Sequence, residues 1–150
     1  MFVFLTWCIP QLTEDGRLFH IDFGHFLGNF KAKLGVKREA APFIFTPHMA
    51  AVMGGAQPAG FRYLQFQELC VRAFLVLRRH SNLLLALFSL LVDCGIPELQ
   101  TVSDLAWMDD ALMSEMTEAD AAAAFLGLLT EALNCRTTRV NHALHILAKH

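Results

Sequence analysis

The residue types best suited to chemistry gather in one string, His20-Ile21-Asp22-Phe23-Gly24-His25. An Asp carboxylate is a hard oxygen donor for a divalent cation, and histidines on either side can hold or pass a proton near an oxyanion. Phosphoryl transfer suits such a set, because negative charge gathers on the oxygens of the moving group and a bound dication offsets it. The same residues have a plainer reading. Asp22 then closes an ordinary strand, Phe23 is a core side chain, and His20 and His25 hydrogen-bond the loop that follows.

A cationic group comes next. Lys31, Lys33, Lys37 and Arg38 fall within the span 31–38, with Glu39 as the nearest opposing charge. Such a run is ordinary for a solvated loop. Placed just after a candidate metal ligand, it also suits an anionic substrate, Arg offering phosphate a planar fork and Lys a point charge. Basic clusters of this kind select anionic and phosphorylated inositol lipids at membrane surfaces.

These residues need elements to position them. Apolar segments at Gln11–Leu12 and Leu18–Ile21 flank Glu14-Asp15-Gly16, which predicts a β-hairpin leading into Asp22. From Phe23 to Thr46 neither strand nor helix periodicity holds, and the segment reads as a long functional loop. Thr46-Pro47 predicts an N-cap with proline in the first turn, opening a short helix that Gly54-Gly55 ends. Phe61 to His80 carries a broad apolar face, with Arg72, Arg78 and Arg79 on the other side. Leu83 to Cys94 is apolar all round, capped by Ser81 or Asn82 and stopped by Gly95 and Pro97, and is expected to be buried. Ser103 precedes a short helix from Asp104 to Met113, and Thr117 with Asp120 resembles a capping box for a helix to Leu133. A modestly amphipathic last helix is expected from Thr137 to Lys149.

Composition limits the classes. Of 150 residues 55% are hydrophobic and 17% charged, with 14 acids against 12 Lys plus Arg. That is one domain's worth of chain, with a mean hydropathy of +0.41 that suggests a membrane protein or a piece of something larger. The longest apolar run, Leu83 to Val92, is too short to span a bilayer, so no transmembrane segment is predicted. Residues 1–10 lack the basic start and cleavage pattern of a signal peptide. Cys8, Cys70, Cys94 and Cys135 are widely spaced, which argues against a zinc site or redox pair and fits a reducing cytoplasmic setting. No basic stripe interleaves with aromatics, so a nucleic-acid partner is not expected.

Asp-Phe-Gly after a strand is the metal-binding signature of protein kinases. The longer string Gly16 to His25, with Leu27-Gly28 and Pro42-Phe43 after it, resembles the phosphoinositide 3-kinase family over residues 13–150. The resemblance implies the C-terminal lobe of the α+β protein-kinase-like fold, here mainly α with a short N-terminal β-hairpin. Its parts would be a divergent N-terminus (1–11), the hairpin (12–21), the activation loop (22–46) and a helical C-lobe (47–150). By the same resemblance Asp22 is the Mg²⁺ ligand, Ile21 packs against the base of ATP, and His20 lies close to the transferred phosphate. Lys31, Lys33, Lys37 and Arg38 would contact the phosphoinositide headgroup, and the last helix could touch the membrane, though simple packing onto the lobe suits it as well. The remainder of the kinase domain and a regulatory subunit or adaptor are implied partners, and the implied location is cytoplasmic and peripheral at membranes.

The string Asn29 to Glu39 resembles class I loops, which read phosphatidylinositol 4,5-bisphosphate. Ala41 to Thr46, Met49 to Gly55 and Gly95 to Leu99 resemble class II enzymes, which prefer less phosphorylated lipids, and Ala40-Ala41 removes one cation of the second basic box. The family's catalytic loop, Asp-Arg-His-x-x-Asn, should precede Leu12, yet Phe4 to Pro10 stands there, with Ile9 at the Asn position. A truncated or mispredicted gene product, inactive alone, is therefore expected. The alternative is a non-catalytic fragment or pseudokinase that at most binds phosphoinositide.

Overall fold

The computed structural model describes residues 7–25, 27, 32–33, 36–37, 41–55 and 59–136, with the backbone alone for 7–12, 18–25, 32–33 and 36–37. The chain forms two compact units, Met1–Arg38 with His80–Ser114 and Glu39–Arg79 with Glu115–His150.

In the first unit, β1 (Trp7–Leu12) and β2 (Leu18–His25) pair antiparallel. Pro10 donates no backbone hydrogen bond, which a two-stranded ladder tolerates because each strand is an edge. The turn between them is set by its own side chains. Gly16 donates to the Thr13 carbonyl (2.9 Å) and takes a left-handed φ of 84°, the three-residue loop with a glycine bulge that suits strand twist. β2 continues to His25, past the Leu18–Ile21 segment that the pattern marks as strand. Its last rung, Trp7 with His25, lies beyond Gly24. A second antiparallel pair, β3 (Ala32–Lys33) with β4 (Val36–Lys37), lies inside the segment read as loop.

The same unit holds α3 (Ser81–Ser89), a 3₁₀ turn (Val102–Leu105) and α4 (Ala106–Leu112). Among its described residues Leu27, Leu99, Leu105, Met108 and Leu112 are buried, the last two one helical turn apart on α4. The 3₁₀ turn is fixed by Asp104, not opened at Ser103, since the Asp104 carboxylate accepts from the Thr101 and Gln100 N–H groups (2.8 and 2.9 Å). These bonds hold the Asp104 carboxyl below the usual carboxylate range.

The expectation of a buried helix from Leu83 to Cys94 is corrected. α3 stops at Ser89, single turns follow through Cys94, and none of its residues is buried. Leu83, Leu87, Leu90 and Leu91 are exposed. An all-apolar segment signals that cover is needed, and among the described residues of its unit α3 packs chiefly on the 3₁₀ turn and α4.

The second unit contains α1 (Pro47–Val52), α2 (Phe61–Arg79) and α5 (Glu118–Asn134). The face α2 buries is narrower than its apolar pattern suggests, with Tyr63, Cys70 and Phe74 inside and Phe61, Leu64, Leu69 and Val76 exposed. Against it lies the α5 stripe Ala121, Phe125, Leu129 and Ala132, whose alanines permit close approach. Phe74 stacks on Phe125 with ring centroids 4.5 Å apart. Arg79 pairs with Glu118 (3.1 Å), and Arg78 donates to the Met116 carbonyl, so the end of α2 meets the start of α5 and the two helices run antiparallel. Thr117 caps α5, its oxygen accepting from the Asp120 N–H (3.2 Å). Among the described residues no helix is long and apolar enough to cross a membrane. The helix read from 137 to 149 lies outside the described residues.

Candidate functional site

The hairpin turn holds β2 in place. The Arg17 N–H donates to Thr13 Oγ1 (2.8 Å), Thr13 Oγ1 also bonds Asp15, and the Arg17 guanidinium pairs with the Asp15 carboxylate (2.9 Å). Both charges are largely exposed, so that pair adds little stability, and the turn rests on its backbone and threonine bonds.

From that turn the ladder is regular through Ile9 opposite Ile21, and then it breaks. The next pair is Trp7 with His25, so Asp22, Phe23 and Gly24 together stand opposite Cys8 alone. A bulge of this kind bends the strand and re-aims residues, and bulges concentrate beside active sites. The register thus sets Asp-Phe-Gly apart from the paired strand while His20 and Ile21 remain in it, opposite Pro10 and Ile9. Sequence patterning carries no sign of this break, since Trp7 and Cys8 hold no motif.

Just past β2, Leu27 is buried and adopts a left-handed φ of 53°. That conformation costs a non-glycine residue roughly 1–2 kcal/mol. Of the basic group, Lys33 and Lys37 fall on adjoining strands of one ladder, Lys33 opposite Val36 and Lys37 opposite Ala32. Lys31 and Arg38 lie outside the described residues.

The segment after the basic group is pinned in the second unit. Ala41, Phe43 and Phe45 are buried while Ile44 faces out, the alternation of an extended chain against a core. Phe43 lies 6.3 Å from Phe125, and Phe45 stacks on Phe66 at 5.2 Å and Tyr63 at 6.3 Å. Thr46, itself buried, then caps α1 by accepting from the Met49 N–H (3.3 Å). Phe43 and Phe45 escaped the sequence reading of the site, although the Phe-Ile-Phe alternation was there to be read. Burial raises the Tyr63 hydroxyl and pushes the Cys70 thiol up to about 11. Among the described residues no three His, Cys, Asp or Glu side chains converge as a metal-binding group. The carboxylate of Asp22, a hard oxygen donor on the bulged segment, is of the kind Mg²⁺ takes, with other ligands completing the shell.

Residues 7–101, from the first rung of the hairpin through the 3₁₀ approach, match the family model described as phosphatidylinositol 3- and 4-kinase. The chain belongs to the phosphatidylinositol 3- and 4-kinase family. It is 44% identical over 138 residues to phosphatidylinositol 3-kinase 1 of Dictyostelium discoideum, covering 92% of this chain and 9% of that protein. It is 41% identical over 139 residues to the human phosphatidylinositol 4-phosphate 3-kinase C2 domain-containing subunit beta, covering 93% and 8%. The rat phosphatidylinositol 3-kinase C2 domain-containing subunit gamma is 39% identical over 141 residues, covering 93% and 9%. The chain thus spans less than a tenth of the length of the curated relatives it matches. Within this kinase family the match takes in the bulged Asp-Phe-Gly, the basic segment and its aromatic anchor together.

Proposed function

We propose that these residues form the C-terminal part of the catalytic domain of a phosphatidylinositol 3-kinase, which transfers the γ-phosphate of ATP to the inositol 3-hydroxyl of a membrane phosphoinositide. The observation that carries this reading is the register break at Asp22-Phe23-Gly24, beside His20 and Ile21 and directly before the basic segment. Mg²⁺, when bound, offsets charge on the phosphate oxygens. Asp22 holds that ion by its carboxylate, His20 stabilises the transferred group, and Ile21 packs against the base.

Lys31, Lys33, Lys37 and Arg38 receive the lipid headgroup as an anion. The human relative's name specifies phosphatidylinositol 4-phosphate, and the loss of a second-box cation at Ala40-Ala41 favours a lipid of that lower charge. The protein works at the membrane from the cytoplasm, with the rest of the kinase domain and a regulatory subunit or adaptor as partners.

These 150 residues include no Asp-Arg-His-x-x-Asn string, so by themselves they transfer no phosphate. The second reading, a non-catalytic segment that at most binds phosphoinositide, draws on that same feature. The deciding experiment grafts residues 13–150 onto the Dictyostelium kinase in place of its matching segment. ATP-dependent lipid phosphorylation that disappears with Asp22→Asn supports the first reading. A folded but inactive graft that still binds phosphoinositide vesicles supports the second.

A further inference from the structure

The leucines that α3 leaves open fall on one side of it. Leu83, Leu87 and Leu90, spaced by four and then three residues, are 58%, 51% and 75% exposed, and Ala86 is exposed among them. That is the spacing of a single helical stripe. Leu84, Leu85 and Phe88, on the other side, are half-buried where α3 packs on the 3₁₀ turn and α4. Past Ser89 the backbone continues in single turns, with the Leu91 N–H donating to the Phe88 carbonyl (3.0 Å) and the Cys94 N–H to that of Leu91 (3.1 Å). Those turns carry the chain on to exposed Asp93.

The stripe ends in complementary chemistry. His80, three residues before Leu83, is exposed and offers an imidazole N–H, and Asp93, three residues after Leu90, is exposed and offers a carboxylate. No charged residue lies between them. The series His80, Leu83, Ala86, Leu87, Leu90 and Asp93 is also symmetric in spacing about the midpoint between Ala86 and Leu87. A copy of the same helix turned about a two-fold axis through that midpoint runs antiparallel. It sets Leu83 against the partner's Leu90, Ala86 against the partner's Leu87 and His80 against the partner's Asp93. Small meets large at the centre, and a donor meets an acceptor at each end. An isologous interface requires this self-complementarity. A lipid surface fits less well, because a helix lying on a membrane carries Lys or Arg along its polar face, and residues 81–92 have neither.

We propose that α3 pairs with α3 of a second copy in an antiparallel two-fold dimer, with Leu83, Leu87 and Leu90 covered at its centre and His80 bonded to the partner's Asp93 at each end. All of these residues belong to the first unit. The proposal goes beyond the kinase reading and needs neither Asp22 nor the basic segment.

The test is sedimentation equilibrium of the full 150-residue chain from about 1 to 300 µM, a range that brackets the affinity of so small an interface. The wild-type chain is expected to pass from monomer to dimer, and L83S/L87S to weaken the dimer by roughly a hundredfold or more, since both copies lose both leucines. D93K and H80E should each weaken it several-fold, and H80E/D93K, which again sets a donor opposite an acceptor, should recover most of that loss. The recovery belongs to antiparallel pairing alone, and a merely adhesive leucine face would not show it. L69S/V76S, altered at exposed positions of α2, should dimerise as wild type. A wild-type chain that stays monomeric, one that aggregates without stopping at a dimer, or a failure of H80E/D93K to recover would each overturn the proposal. So would a monomer that sediments with phosphatidylcholine vesicles and loses that binding in L83S/L87S, which would assign the face to lipid.

Discussion

The rings of Phe74 and Phe125 stack 4.5 Å apart with planes tilted by 10°, joining α2 to α5, and Phe43 packs on the same Phe125 at 6.3 Å. One aromatic group therefore fastens the two long helices together and holds the chain where it leaves the basic segment. Phe74→Ala should cost about 3–5 kcal/mol, since it removes a fully buried ring and leaves a cavity between helices. Denaturant unfolding monitored by circular dichroism measures this, and Phe74→Leu should recover much of the loss.

Thr46 closes the same anchor by capping α1. Thr46→Ala should destabilise by about 1 kcal/mol, and Thr46→Ser, which keeps the oxygen, should restore most of it. Hydrogen exchange should localise the effect to Pro47–Val52. Uniform loss of protection throughout α2 and α5 would contradict a local cap.

Gly60 is set by contact. A Cβ there meets the Gly54 oxygen at 3.0 Å and the Gly54 carbonyl carbon at 3.2 Å, and backbone cannot swing aside as a side chain can. Gly60→Ala should therefore cost about 1–3 kcal/mol. Gly127→Ala, in open space within α5, should instead stabilise by a fraction of a kcal/mol, roughly the helix-propensity difference.

Asp104 predicts a pH dependence. Its folded pKa lies below the ordinary value of 3.8 because it accepts backbone N–H bonds as a carboxylate. A depressed acid contributes its stability in full above the unfolded pKa, and the contribution is lost as pH falls through the folded value. Asp104→Asn should thus be less stable than wild type at neutral pH, and the gap should narrow steadily in acid below about pH 4. A gap independent of pH would mean the bonds do not need the charge.

Cys70 and Cys94 should separate by reactivity. The Cys70 thiol is buried and raised to about 11, while Cys94 is exposed. The thiolate is the reacting species, so iodoacetamide should modify Cys94 in the folded chain and reach Cys70 only on unfolding. Peptide mass spectrometry after timed labelling reads this directly.

Local chemistry was readable where one short string supplies all the partners. Thr46-Pro47 names both the cap and the first helical residue, and Gly54-Gly55 marks the stop, each at left-handed φ. The bounds of α2 come within one residue of the pattern because its apolar period runs unbroken from Phe61. What escaped depends on pairing at a distance. Nothing in Asp22-Phe23-Gly24 says that it will oppose Cys8 alone, since register belongs to two strands at once. α3 failed for a related reason, because an apolar composition states a demand for cover without naming the neighbour that meets it. The Asp-Phe-Gly string is legible as a motif, and the register break that falls on it is not.

The open leucines of α3 and the turn after it bear on how the chain is to be measured in solution. Covering Leu83, Leu87, Leu90 and Leu91 with a second copy is a bimolecular event, so its extent grows with protein concentration, whereas packing within one molecule does not depend on dilution. Melting temperatures taken at a single concentration would mix the two. A dilution series separates them, and a midpoint that climbs with concentration for wild type but stays level for L83S/L87S would trace the association to that one face.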